Sequence, residues 1–121
     1  MTSLMKYTKL ITTALLVALP LSAIAAKETP IPRSIPGDKG KYFLLEVTKD
    51  GNIVKTLHKR IGVEEVGFSR TEINCANMQY RDIGYGEGSP AHIKDFPPGR
   101  TKWTSLVDGS SKSDMVKFVC K

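Results

Sequence analysis

The chain has 121 residues, a formal net charge of +6, 25% charged and 40% hydrophobic side chains, and two cysteines. That length holds one small domain and excludes a dinucleotide-binding, barrel or kinase-type enzyme core. The composition excludes global disorder.

Residues 1–26 read as a cleaved export signal rather than as part of the fold. Lys6 and Lys9 form a short basic region, Leu10 to Leu21 is an apolar run broken at Pro20, and Ser22-Ala23-Ile24-Ala25-Ala26 supplies small side chains. The Ala23-x-Ala25 spacing fits the narrow pocket of a signal peptidase, with cleavage after Ala25 or Ala26. A membrane anchor is the competing reading, but the run is short for a spanning helix and polar Lys27-Glu28-Thr29 follows at once. No cysteine adjoins the cleavage site, so lipid attachment there is not expected. The expected location is the periplasm or the secreted and cell-surface compartment of a Gram-negative bacterium, with no integral membrane span after cleavage.

Without Lys6 and Lys9 the remaining 95 residues carry 16 basic and 12 acidic side chains, a net of +4. The basic residues are interspersed with acids, and only His58-Lys59-Arg60 is a cluster. A nucleic-acid binder would show a denser stripe with interleaved aromatics, so no nucleic-acid partner is expected.

Cys75 and Cys120 are the only cysteines. In an oxidising compartment a single intramolecular disulfide is the default, with an intermolecular bridge or two free thiols as alternatives. Closing that loop would restrict the unfolded chain enough to add about 4 kcal/mol, comparable with the whole stability of a domain this small.

In chain order, residues 27–40 hold three prolines and two glycines and read as an extended leader. Tyr42 to Thr48 is rich in strand formers, Asp50-Gly51 marks a hairpin turn, and Ile53 to Ile61 returns as the partner strand. Val63 to Val66, between Gly62 and Gly67, reads as a turn or bulge. From Phe68 to Ala76 the alternation places Ser69, Thr71, Ile73 and Cys75 on one face, taken as inward. Met78 to Ile83 continues as a strand. The Gly- and Pro-rich residues 84–100 read as a long irregular excursion, and Lys102 to Val107, around the sole tryptophan, as a last strand. Ser111 and Asp114 have N-cap and N3 spacing for a helix whose Met115, Val116, Phe118, Val119 and Cys120 form an apolar stripe. The expected fold is α+β: a twisted antiparallel sheet of about four to six strands with one short C-terminal helix and one disulfide.

No motif for catalysis appears. The two histidines, His58 and His92, lack ligand spacing, so neither a metal nor another cofactor is expected. Glu64-Glu65 reads as a solvent-facing turn pair, Trp103 as a sheet-covering residue, and Arg70 and Arg81 as cross-strand partners of Glu72 or Asp82. The most plausible contact surface is the 84–101 excursion with Lys94, Arg100 and Lys102, chosen on loop length and charge.

Arg60-Ile61-Gly62, Cys75, Arg81, Tyr85, Trp103, Gly109-Ser110 and Cys120 follow in an order that resembles the surface-adhesin E-like family of small exported bacterial domains. The layout covers about residues 42–121 and assigns 41–121 to a single domain of that kind. The resemblance implies an antiparallel sheet with a packed helix, a Cys75–Cys120 bridge and, for the family's namesake, binding of host matrix and plasma proteins. The chain departs from the family in lacking a lipid-acceptor cysteine and in carrying Asp108-Gly109-Ser110 where Pro-Gly-Ser is typical. The resulting expectation is a non-catalytic binding module with a protein or glycan partner. A periplasmic inhibitor or immunity protein of an envelope hydrolase is the alternative, and a small extracellular hydrolase a more remote one.

Overall fold

The computed structural model describes residues 27–121, so the signal-peptide expectation for 1–26 lies outside the described residues. Seven strands form one antiparallel sheet: β1 (Thr29–Pro30), β2 (Lys41–Asp50), β3 (Ile53–Ile61), β4 (Val66–Asn74), β5 (Gln79–Glu87), β6 (Lys94–Asp95) and β7 (Thr104–Ser105). Among the described residues one α-helix, α1 (Ser111–Val119), closes the fold. Strand order follows chain order from β1 to β6, and β7 also pairs with β5. The sheet is therefore a meander built from hairpins, as the alternation and turn residues of the sequence predict.

The first hairpin turns at Gly51-Asn52, with Asp50 opposite Ile53 and Gly51 at φ 64°. A two-residue hairpin loop needs that left-handed backbone, which glycine adopts without a Cβ clash. Gly62 to Glu65 forms the next turn, closed by Gly62 N–H donating to the Glu65 carbonyl at 2.8 Å. At the third, Asn74 Oδ1 accepts from the N–H groups of Ala76 and Asn77. A register shift at Leu45 in β2, and another where Arg70–Thr71 faces Asp82–Gly84, kink the long strands.

One sheet face packs against α1. Val54, Thr56 and His58 of β3 stand opposite Ile73, Thr71 and Ser69 of β4 on this side. Met115, Val116 and Val119 of α1 bury themselves against Ile31, Tyr42, Leu44, Val54 and Ile73. The inward face expected for Ile73 is thus observed, Ile73 being fully buried. Cys75, at the end of β4, is bonded to Cys120 at the C-cap of α1, their Cα atoms 5.4 Å apart across a separation of 45 residues. The helix begins one residue earlier than its predicted cap: Ser110, not Ser111, is the N-cap, and its hydroxyl accepts from Ser113 N–H at 3.1 Å. Asp114 is thereby free of a capping role, and its carboxylate accepts from Arg33 Nε at 2.8 Å and from Ser34 N–H at 3.1 Å.

That contact docks the leader. Residues 27–40 are extended, but β1 adds to the sheet beside β2 and Ile31 enters the core. Arg33 spans Asp114, Asp38 and the Gly109 carbonyl while lying over the Tyr42 ring at 4.8 Å. Tyr42 hydroxyl donates to Asp38 and accepts from Arg60 Nε. The Tyr42 hydroxyl, with help from Gly40 N–H and the two guanidinium groups, holds the Asp38 carboxyl well below the usual range. For Asp114, burial opposes ionisation, but the bonds from Ser34 and Arg33 prevail and its pKa is lowered.

The expected irregular excursion over 84–100 is replaced at its start by regular strand. β5 runs on to Glu87, and Gly84 and Gly86 are buried within it. A Cβ on Gly86 would lie 2.5 Å from the backbone of His92, and one on Gly84 would lie 3.0 Å from the Ile93 side chain. Alternate glycines therefore leave one face of β5 bare, and the Pro90–His92 turn folds back onto it.

Candidate binding surface

β4 pairs with one edge of β5, while β6 and β7 share its other edge at opposite ends. Tyr85 and Gly84 face Lys94 and Asp95, whereas Tyr80 and Gln79 face Thr104 and Ser105. Between these two short ladders the chain from Phe96 to Trp103 swings outward, tied back by Phe96 N–H donating to the Ile83 carbonyl at 2.9 Å. A one-turn 3-10 helix over Pro98–Arg100 turns it inward again. The gap is an open cleft of about 310 Å³ lined by Tyr80, Asp82, Phe96, Arg100, Thr101, Lys102 and Thr104.

The structure brings Arg100 and Lys102 together at this cleft, whereas Lys94 is exposed on β6 opposite Tyr85 and does not line it. Asp82, the one carboxylate among the lining residues, is already engaged: Thr71 hydroxyl donates to it at 2.8 Å and Lys112 Nζ at 2.9 Å. Burial, then the Asp82 charge, raise the Tyr80 pKa, so its phenol remains a protonated donor at neutral pH. The cleft thus combines two exposed cations with two aromatic rings, a combination that takes up acidic or planar polar groups.

Trp103, between these residues in sequence, points elsewhere and is half-buried beneath Arg81, whose guanidinium lies 4.5 Å from the ring centroid and 2.7 Å from Glu72. The expected cross-strand pair is present for Arg81. Arg70 stands opposite Leu57 and Gly84 and lines an apolar groove of about 530 Å³ with Leu45, Leu57, Phe68 and Pro90 on the sheet face away from α1.

The histidines do not meet. His92 sits on the turn that packs over Gly86, with its Nδ1 2.7 Å from the Glu87 carbonyl. His58 lies on the α1 side, 7% exposed, and its Nδ1 has no hydrogen-bond partner. Burial, reinforced by the nearby Lys112 charge and opposed by Asp82, lowers its pKa to about 4. A ring that is neutral at pH 7 and has no carboxylate on Nδ1 lacks the orienting acid of a nucleophile–histidine–acid triad. Among the described residues no group of three or more His, Cys, Asp or Glu is arranged to hold a metal ion.

Beside His58 is a second, smaller cleft of about 150 Å³ that reaches Arg60, Gly67, Ser69, Tyr85 and the first residues of α1. His58, Lys59 and Arg60 are adjacent in sequence and read there as one cluster. Period-two alternation splits it, sending His58 and Arg60 to the helix side and Lys59 to the other. That alternation, set against Gly67 and Ser69 of the neighbouring strand, was the available signal.

No helix among the described residues is long and apolar enough to cross a membrane. Comparison with protein-family models, curated proteins and solved structures returns no match for this chain.

Proposed function

We propose that this protein is an exported, non-catalytic binding module of the bacterial periplasm or cell surface, adhesin-E-like in layout, whose contact surface is the cleft beside β5. The observation that carries this reading is the convergence of Arg100 and Lys102 on Tyr80 and Phe96, with Asp82 neutralised from behind by Lys112. An acidic segment of a protein, or an acidic glycan, matches that lining in charge and in its need for stacking. The disulfide accords with an oxidising compartment and supports the export reading.

The test has two arms. Cells producing the protein are treated with external protease, intact and after osmotic shock, and the culture supernatant is assayed. Loss from intact cells, or presence in the supernatant, supports a surface role. Protection until the outer membrane is breached removes adhesion and directs the search to periplasmic hydrolases as partners. In parallel, wild type and the double variant Arg100→Ser/Lys102→Ser are compared on immobilised polyglutamate and heparin. Retention of wild type with at least ten-fold weaker retention of the variant is expected, and equal retention removes this contact surface. Turnover of ester or glycoside probes that is lost in His58→Gln would overturn the non-catalytic reading.

A further inference from the structure

The groove on the sheet face away from α1 has no part in the proposed contact surface. It crosses β2, β3 and β4 between the start of the leader and the turn at Pro90. Its volume of about 530 Å³ falls within the range of about 300–1,000 Å³ in which small-molecule sites are found. Leu45, Leu57, Phe68 and Pro90 supply its apolar lining. The register shift at Leu45 inserts one residue into β2, so Leu45 and Glu46 both line the groove instead of alternating across the sheet. On the far side, Phe68 and Arg70 stand opposite Gly86 and Gly84, which bring no side chain of their own.

The charges around this groove do not cancel. Its cations are Lys27, Lys59 and Arg70 and its carboxylates are Glu28 and Glu46, which leaves one positive charge in surplus. Lys59 is matched by Glu28, while Lys27 and Glu46 are exposed at the rim. Arg70 is half-buried, and among the described residues its guanidinium has neither an ion-pair nor a hydrogen-bond partner. The neighbouring strands explain why. Arg70 stands opposite Leu57 on β3 and Gly84 on β5, neither of which accepts a side-chain bond. Glu72, the next residue on the same face of β4, is taken by Arg81 at 2.7 Å and approached by Lys55 at 3.8 Å. The surplus charge therefore sits at Arg70, on the apolar floor rather than at the rim.

We propose that this groove binds a long-chain carboxylate of the fatty-acid class, its chain laid along Leu45, Leu57 and Phe68 and its head group on Arg70. A guanidinium offers a planar fork of donors that a carboxylate meets with two parallel bonds. Partial burial among apolar side chains screens that attraction less than open water would. One surplus charge calls for one anionic head, and the surplus disfavours a cationic amphiphile. A polypeptide is a poorer occupant. The floor is the face of a sheet whose N–H and C=O groups are engaged in the β2–β3 and β3–β4 ladders, so it offers apolar surface and one cation but no backbone partners.

The experiment is a titration of the purified exported protein, uniformly labelled with nitrogen-15, at neutral pH and constant ionic strength. The probes are dodecanoate, octanoate, acetate and dodecyltrimethylammonium, each kept below the concentration at which it forms micelles. Saturable shifts at Leu45, Leu57, Phe68 and the Arg70 side-chain N–H are expected with dodecanoate. Octanoate should bind more weakly, because each methylene taken out of water adds to affinity. Arg70→Gln should weaken dodecanoate binding about ten-fold or more, with Arg70→Lys between it and the wild type. Leu45→Ser should weaken it several-fold, and both positions are only half-buried, so the core stays intact. Arg100→Gln/Lys102→Gln should leave it unchanged, which separates this groove from the cleft beside β5. Absence of a saturable shift up to about 1 mM dodecanoate, or acetate or dodecyltrimethylammonium binding as tight as dodecanoate, would overturn the proposal. Equal binding of octanoate and dodecanoate, or indifference to both Arg70→Gln and Leu45→Ser, would do the same. So would shifts at these residues on simple dilution, which would mark the groove as covered by a second copy of the chain.

Discussion

The helix side of the sheet and the side facing away from it are both half-apolar, yet they are covered differently. On the helix side, α1 lays Met115, Val116 and Val119 over Val54 and Ile73, the Cys75–Cys120 bond pins its far end, and Arg33 of the leader grips Asp114 near its start. On the other side no α-helix is present among the described residues; Leu57 and Phe68 are shielded by the Pro90–His92 turn, the start of the leader and the stems of Lys59 and Arg70. The first covering is held by side chains and a covalent bond. The second is held by the Glu28–Lys59 ion pair and by the close approach of the His92 backbone to Gly86. Ion pairs stand on both sides, Arg33–Asp114 under the helix and Arg81–Glu72 and Glu28–Lys59 opposite, so the difference lies in the covalent bond and the apolar packing of α1.

Five experiments press on that contrast, beginning with the largest effect. Replacing both cysteines by serine, or reducing the bond, should cost about 4 kcal/mol through restored loop entropy, measured as a lower urea midpoint. A loss under about 1 kcal/mol would mean that α1 stays docked by packing alone. Met115→Ala removes a side chain that is 1% exposed and should cost roughly 3 kcal/mol in global stability. Gly86→Ala, on the other face, should instead push the Pro90–His92 turn away and raise hydrogen exchange locally at residues 90–96. Global destabilisation by Gly86→Ala comparable with that of Met115→Ala would erase the distinction between the two coverings.

Acid should attack the helix side first. His58 has a folded pKa of about 4 against 6.5 for the free side chain, so the unfolded chain binds its proton earlier. Stability is therefore full above about pH 6.5 and falls as the pH drops toward 4, by about 3 kcal/mol in all. Below that range Asp38 and Asp114, whose folded pKa values are lowered, lose their ion pairs in turn. Urea midpoints measured from pH 7 to 4 should show the first limb in wild type and its absence in His58→Gln; persistence of the limb in the variant would assign it to another group. The smallest effect is expected from Glu72→Gln, which breaks a part-exposed pair with Arg81 and should cost under about 1 kcal/mol. A larger loss would show that Arg81 needs Glu72 to stay over Trp103.

Much of the helix side was legible in the sequence because its signals are local. The Asp50-Gly51 turn, the Ser69–Cys75 alternation and the Met115–Val119 stripe each state a period or a backbone preference within a few residues. What escaped reading depends on partners distant in the chain. Arg33 and Asp114 are 81 residues apart, and no local pattern in a Pro-rich leader announces that its Ile31 joins the core. Residues 84–87 were misread because glycine signals both a loop and a strand with a close neighbour, and only the returning turn at His92 decides between them. Of the contact residues, Arg100 and Lys102 converge while Lys94 does not, because β6 pairs with β5 ahead of the outward swing. The His58 cleft was obscured by grouping consecutive residues that the strand sends to opposite faces.

The seam between Ile31 and α1 has a consequence for how the molecule is made. A chain that emerges N-terminus first builds its hairpins one after another, each from adjacent sequence, and can complete the meander while α1 is still to come. Until Met115, Val116 and Val119 arrive, the face bearing Val54 and Ile73 is an open apolar surface, and Cys75 stands as a lone thiol with no partner in reach. The interval between those events is when the nascent chain is most exposed to aggregation and to wrong thiol partners. The stretch that ends it is α1 itself, with Cys120 at its C-cap.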